Sequence, residues 1–322
     1  MNTLKVVALC VTISLLSVVV YSKIEVRRDG MASCKNKYPL LRRSLNCDED
    51  PTQKTKEIKG DVESYINSVI KKKEVKNVSV FYRDLDSRQW FGIEENLFFA
   101  PASLLKLPLA VAIYKAAELD RSILEKKRKF VGSGETKNLF NIQNIQSSRK
   151  IEENKEYTVD ELVHFMIENS DNNAMDILIG SVNTDFLNKV YADLGVTLPT
   201  AAGGSEDFIS TRVYAGILRA LYNASYLNQE SSSHLLEAMA DSTFKQGIAT
   251  GVPEGIKVAN KFGERTFYDA TNKRITEIEL HDCGIVYVSR FPYVLCVMTK
   301  GNDYEAQTKV IGEISRIIYT ER

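Results

Sequence analysis

In the segment Pro101-Ala102-Ser103-Leu104-Leu105-Lys106 a hydroxyl and an amine stand three residues apart. On a helix that spacing puts both on one face, so the amine can reach the hydroxyl and act as its base. The spacing alone carries little weight, because Ser68/Lys71, Ser147/Lys150 and Ser242/Lys245 repeat it. Those three are expected to be chance pairs on exposed faces. Ser103 differs in its setting: it opens an apolar helix, Leu104 to Ala117, directly after a strand and the run Phe98-Phe99-Ala100-Pro101. A buried helix start offers backbone N–H groups and the positive end of the dipole to an oxyanion, and desolvation with nearby charge lowers a lysine pKa.

Two further segments carry chemistry-bearing residues. Ser170-Asp171-Asn172 follows a helix that Thr158 and Glu161 can open as a capping box. Its plainer reading is an N-cap, since all three residue types favour helix starts and Asn173-Ala174-Met175-Asp176 continues as helix. Lys261-Phe262-Gly263 ends a strand-like run and sets a basic side chain beside a glycine, which lets a substrate lie close to the backbone. The histidines His164, His234 and His281 are scattered, and no CxxC pair or His/Cys cluster is present. Each histidine is therefore read as structural, and neither a metal nor another cofactor is called for.

The elements that must position these groups come from periodicity. A helical pattern begins near Ile58 (Ile58, Val62, Tyr65, Ile66, Val69). Strand-like runs follow at Val78 to Tyr82 and Gln89 to Ile93, across a turn at Asp84 to Ser87. From Ser103 to about Lys245 nearly every segment reads as helix, and Lys126-Lys127-Arg128-Lys129 reads as a solvated helix end. Strand character returns at Ile256 to Phe262, Ile275 to Val288 and Tyr293 to Thr299, before a closing helix from Tyr304 to Tyr319. Two strands at the front and three at the back cannot each make a stable sheet, so they are expected to pair with one another.

Ahead of this domain, Val6 to Val20 form an apolar stretch with Lys5 before it and Lys23, Arg27 and Arg28 after it. It reads as a translocation signal; a cleaved signal peptide and an uncleaved membrane anchor both fit, the anchor better. Residues 23 to 57 are polar, without periodicity, and read as a tether, leaving residues 58–322 as the folded domain. Cys34 and Cys47 can close a loop in that tether if the chain is exported, whereas Cys283 and Cys296 read simply as core thiols. With 322 residues, 44% of them apolar and 26% charged, the chain can bury a large core and is too polar for a multispan membrane protein. Its formal charge is zero, so no overall field would hold it on a nucleic acid.

Ser103 to Lys106, Ser170 to Asn172 and Lys261 to Gly263, in that order, match the S-x-x-K, S-D-N and K-T-G set of penicillin-binding proteins and class A β-lactamases. From about Ile58 to its end the chain resembles that superfamily, with Pro101 to Pro108, Met166 to Ala174, Phe244 to Gly263 and His281 to Tyr287 also looking like family segments. The resemblance implies an α/β (α+β) fold: a five-stranded antiparallel sheet flanked by helices, an all-helical lobe, and the site between them. It implies that Ser103 is the nucleophile of an acyl-enzyme, Lys106 its activating partner, Ser170 a proton relay and Asn172 a holder of the substrate amide. Lys261 would supply positive charge, depressing the Lys106 pKa and attracting a substrate carboxylate, while the N–H groups of Ser103 and Glu264, beside Gly263, would form the oxyanion site.

Two departures from the family pattern bear on the reaction. The Glu of an E-x-x-L-N segment, which activates the deacylating water in class A β-lactamases, has no counterpart; Gly195 to Phe208 offers only Glu206 and Asp207. Phe262 stands where the family has Thr or Ser, which removes a hydroxyl that binds a substrate carboxylate, leaving Arg265, Thr266 or His281 to compensate. The leading expectation is a DD-peptidase-like hydrolase acting on cell-wall peptides, membrane-anchored and extracytoplasmic. A β-lactamase turning over β-lactams and a non-catalytic binding domain are the alternatives.

Overall fold

The computed structural model describes residues 51–132, 145, 149–199, 205–269, 271–272, 274–289 and 291–322. The apolar N-terminal run, residues 23–50 of the expected tether, the Cys34/Cys47 pair and Ser147 lie outside the described residues, and residues 53–57 of that tether are helical. Among the described residues no helix is long and apolar enough to cross a membrane.

Helix α1 (Gln53–Lys71) starts five residues ahead of the expected Ile58, because the Thr52 side chain accepts from Thr55 N at 3.2 Å and so caps it. Its buried stripe is the expected one, Ile58, Val62, Ile66 and Val69. Strands β1 (Asn77–Asp84) and β2 (Trp90–Ile93) pair antiparallel around the expected turn, where Asp84 Oδ1 accepts from Asp86 N and Ser87 N at 3.0 and 2.6 Å. Ser103 lies in a 3₁₀ turn, Ala102–Leu105, rather than at the first turn of an α-helix; helix α2 (Lys106–Ala117) follows. α2 is buried almost all round, as an apolar helix without a polar face must be.

The helical lobe continues through α3 (Ser122–Glu125), α4 (Val159–Glu168), α5 (Asn172–Ile179), α6 (Thr184–Asp193), α7 (Thr211–Tyr222) and α8 (Gln229–Ala240). Between α3 and α4 the structure corrects the sequence reading. Lys127–Lys129 is a strand, β3, paired with β4 (Glu156–Thr158) and not a helix end, with Lys129 opposite Glu156 and Arg128 opposite Tyr157. Tyr157 is the one buried side chain of that ribbon, so the repeated apolar alternation that would have marked it is missing.

Strands β5 (Lys257–Tyr268), β6 (Ile275–Tyr287) and β7 (Tyr293–Gly301) and helix α9 (Tyr304–Glu321) complete the chain. The sheet order is β2-β1-β7-β6-β5, antiparallel throughout, so the front pair joins the back three through β1 and β7 as expected. β5 runs six residues beyond Phe262, which places Lys261-Phe262-Gly263 in mid-strand instead of at a strand end. Along β7, Val294, Cys296 and Met298 pack toward the lobe, whereas Leu295 and Val297 pack toward α1 and α9. Both sheet faces are covered, hence the continuous apolar runs in these strands. Cys283 and Cys296, directly opposite on β6 and β7 with Cα atoms 3.9 Å apart, form a disulfide and are not free core thiols.

Candidate active site

Three segments converge where edge strand β5 meets the lobe. The 3₁₀ turn presents Ser103, the link from α4 to α5 presents Ser170 and Asn172, and β5 presents Lys261. Gly263 explains how closely β5 approaches the turn that bears Ser103: a Cβ there would meet Pro101 O at 2.9 Å and Leu104 Cγ at 3.0 Å. Ala102 and Ser170 both hold left-handed backbone, with φ of 48° and 54°, a conformation that costs a non-glycine residue roughly 1–3 kcal/mol. Such strain persists only where the surroundings impose it, and here it flanks Ser103 and falls on Ser170 itself.

Lys106 is fully buried, and four oxygens surround its amine. Nζ lies 2.5 Å from Ser170 O, 2.6 Å from Asn172 Oδ1, and 3.0 Å from both Ser103 Oγ and Ser170 Oγ. The two nearest are pure acceptors, so each takes a hydrogen from the amine. A neutral amine then has its lone pair left, and only a hydroxyl can donate to it. Burial lowers the Lys106 pKa to about 7, against the opposing pull of Asp171 and Asp176. The neutral form is thus abundant at ordinary pH, and the geometry lets it accept the Ser103 proton.

Lys261 Nζ reaches Ser170 Oγ from the other side at 3.0 Å and donates to Phe262 O at 2.9 Å. Burial, then the Lys106 charge, pushes its pKa well below the ordinary lysine value, with buried Asp282 pulling the other way. Two ammonium groups sharing one hydroxyl repel, which disfavours the state with both charged. Burial, and not Lys261, is the first cause of the Lys106 shift, which differs from the cause expected from sequence.

Asp171 caps α5 through Ala174 N (3.0 Å) and holds Ile151 N (2.9 Å). This is the plain N-cap reading, and it coexists with the placement of its neighbours at Lys106. The Glu264 carboxylate turns aside to accept from Ile145 N at 2.9 Å. Glu206 pairs with Arg265 at 2.6 Å and Asp207 pairs with Lys300. Two of the three residues expected to replace the missing hydroxyl at Phe262 are engaged elsewhere: Arg265 by Glu206, and His281, fully buried, at 3.0 Å from Ala100 O. The Phe262 ring itself stacks on Phe244 (centroids 4.4 Å apart) and lies under the Lys261 amine at 4.3 Å. Of the other serine–lysine pairs, Ser68 Oγ donates to Tyr65 O at 2.7 Å, whereas Ser242 is buried, contrary to expectation, with Lys245 turned to Ala240 O at 3.1 Å.

Sequence reasoning missed Glu279 and Lys300. Glu279 accepts from Ala100 N at 2.8 Å and pairs with Lys300 at 2.9 Å, while His281 takes the Ala100 carbonyl, so both backbone groups of Ala100 are clamped three residues before Ser103. Burial alone would raise the Glu279 pKa, yet hydrogen bonds from His281 and Lys300 hold it below its ordinary value. The available signal was Glu279, His281 and Asp282 inside the otherwise apolar run Ile278 to Val286, since buried charges need partners.

A serine hydroxyl 3.0 Å from a buried lysine amine, set between a mainly helical lobe and the edge of a five-stranded antiparallel sheet, is the arrangement of β-lactamase/transpeptidase-like serine hydrolases. The chain belongs to the β-lactamase enzyme family, which matches residues 61–321. Comparison with curated proteins gave no match. Among solved structures, it is similar to a mutant of PBP-A solved as an acyl-enzyme complex with penicillin G, with 20% identity, TM-score 0.64, and coverage of 81% of this chain and 96% of that one. The β-lactamase from Sphaerobacter thermophilus DSM 20745 is 22% identical with TM-score 0.65, over 80% of this chain and 95% of that one. The TLA-1 extended spectrum β-lactamase is 20% identical with TM-score 0.67, over 84% and 99%. At these identities the likeness establishes the fold.

Proposed function

We propose that the protein is an extracytoplasmic, DD-peptidase-like acyl-serine enzyme that attacks the amide or ester carbonyl of a cell-wall peptide and is acylated by β-lactams. The observation that carries this reading is the Lys106 amine, bound to two obligate acceptors with its lone pair free for Ser103. In the proposed reaction neutral Lys106 takes the Ser103 proton as Oγ bonds to the carbonyl carbon. The N–H groups of Ser103 and Glu264 hold the oxyanion. Ser170 passes the proton from Lys106 to the leaving nitrogen, the C–N bond breaks, and an ester on Ser103 remains. Asn172 holds the substrate amide. An anionic substrate would restore a proton to Lys261, whose charge then faces the substrate carboxylate.

Slow release of the acyl group is part of the proposal. The chain has no E-x-x-L-N segment, and the carboxylates of Glu206 and Asp207 are tied to Arg265 and Lys300. The acyl-enzyme of the PBP-A mutant with penicillin G supports β-lactams as acyl donors. Export with anchoring by the Val6 to Val20 segment is supported by its flanking cations and by the Cys283–Cys296 disulfide, which suits an oxidising compartment.

The test is to incubate the full-length protein with a fluorescent penicillin and follow labelling and its decay by intact mass. A single adduct that outlasts its formation supports the peptidase-like reading. Rapid turnover makes the protein a β-lactamase with another deacylating base, and no labelling by several acyl donors leaves a binding domain.

A further inference from the structure

His164 and His234, seventy residues apart in sequence, meet at a partly exposed place on the helical lobe. Asp160 and His164 stand one turn apart on α4, and His234 comes from α8. The His164 and His234 Nε2 atoms are 3.0 Å apart, with the rings at 81°, and His234 Nε2 lies 3.4 Å from Asp160 Oδ1. One ligand atom from each residue fits within a span of 4.8 Å. The side chains are 31% (His164), 34% (Asp160) and 40% (His234) exposed, so an ion can reach them from solvent.

The two separations that involve His234 Nε2, 3.0 and 3.4 Å, are those of neighbouring ligands around one ion, and a small side-chain shift would bring Asp160 and His164, within 4.8 Å of each other, onto the same ion. At zinc–nitrogen distances of about 2.0–2.1 Å, neighbouring ligand atoms lie about 2.9 Å apart at a right angle and about 3.4 Å apart at a tetrahedral one. The tautomer also fits. Glu168 Oε1 is 2.5 Å from His164 Nδ1. A carboxylate only accepts, so the proton of neutral His164 sits on Nδ1 and its Nε2 presents a bare lone pair. A carboxylate behind a ligating histidine is the usual supporting contact of such sites. Tyr114 supplies the rest of the support: its hydroxyl donates to Asp160 Oδ1 at 2.7 Å, and its ring meets the edge of His234 at 5.6 Å between centroids.

We propose that Asp160, His164 and His234 form a divalent transition-metal site, suited to zinc by its two imidazoles and one carboxylate, with water completing the shell. The ion would fasten α4 to α8. α4 ends at Glu168, whose carbonyl accepts from Thr243 N at 2.9 Å, and Ser170 follows two residues later. Bound metal would therefore brace the segment that carries Ser170 without entering the reaction.

The test is zinc titration of the metal-stripped full-length protein by calorimetry, with cobalt substitution read by absorption. One equivalent bound through nitrogen and oxygen ligands is expected. Binding should weaken at least a hundredfold in His164→Ala and in His234→Ala, and about 10–100-fold in Glu168→Gln, which touches no metal. Circular dichroism of each variant checks folding, and Asp160→Asn is a milder change should an alanine variant fail to fold. Two results overturn the proposal: zinc bound equally well by the variants, which places it elsewhere on the chain, and no binding at submillimolar zinc, which leaves a plain histidine–histidine hydrogen bond.

Discussion

Raising the pH from about 6 to about 8 titrates the amine that touches Ser103, and the rate of Ser103 acylation should follow it. Burial places the Lys106 pKa at about 7. Its neutral fraction is then about 0.09 at pH 6 and about 0.9 at pH 8, which gives a rise of about tenfold that levels off above the upper value. The sign follows from the role, because only the neutral amine can accept the Ser103 proton. A lysine at the ordinary 10.5 would instead give about a hundredfold rise over that interval and keep climbing. The assay is the second-order rate constant for labelling the full-length protein with a fluorescent penicillin, quenched at short times and read by intact mass. Buried Asp282, raised to about 7 mainly by desolvation, titrates in the same window. It bonds Asn260 Nδ2 and Ile248 N, not Ser103, so Asp282→Asn should leave the midpoint in place. A rate that climbs tenfold per unit past about pH 9 would refute the lowered Lys106 pKa, and one independent of pH over the interval would refute neutral Lys106 as the base.

Ser103→Ala should abolish the covalent adduct while Ser68→Ala and Ser242→Ala retain it, as peptide mapping of the labelled residue will check. Phe262→Thr should raise acylation by a penicillin, which carries a carboxylate, relative to a neutral activated ester; an unchanged ratio would mean that the ring does not stand in the carboxylate site. Glu279→Gln weakens the hold on Ala100 and should slow acylation by about tenfold or more through misplacement of the nucleophile turn, with the pH midpoint unmoved. In denatured, non-reduced protein Cys283 and Cys296 should resist alkylation, and both should label after reduction.

What the sequence displayed of this fold was whatever repeats locally. The stripe Ile58, Val62, Ile66, Val69 and the unbroken apolar run of β7 each report a face, or two faces, packed against neighbours, so the sheet and the helix backing it were readable. Ribbon β3–β4, which buries only Tyr157, displays no such period, and its basic residues passed for a helix end. The extension of β5 was hidden because Glu264, Arg265 and Thr266 are polar, yet all three pair with β6. The site divides in the same way. Ser103, Lys106, Ser170 and Lys261 were found from short segments whose spacing is set within a turn or a strand. Glu279, 179 positions from Ala100, became visible only once the sheet was assembled, as did the meeting of His164 with His234. Protonation belongs to this second kind of information, because the family resemblance implied a positive charge on Lys261, whereas complete burial beside Lys106 removes its solvation and sets the two amines against each other. Lysine types three residues or half a chain apart identify the partners; the burial of each decides which one holds the proton, and so which one can act as a base.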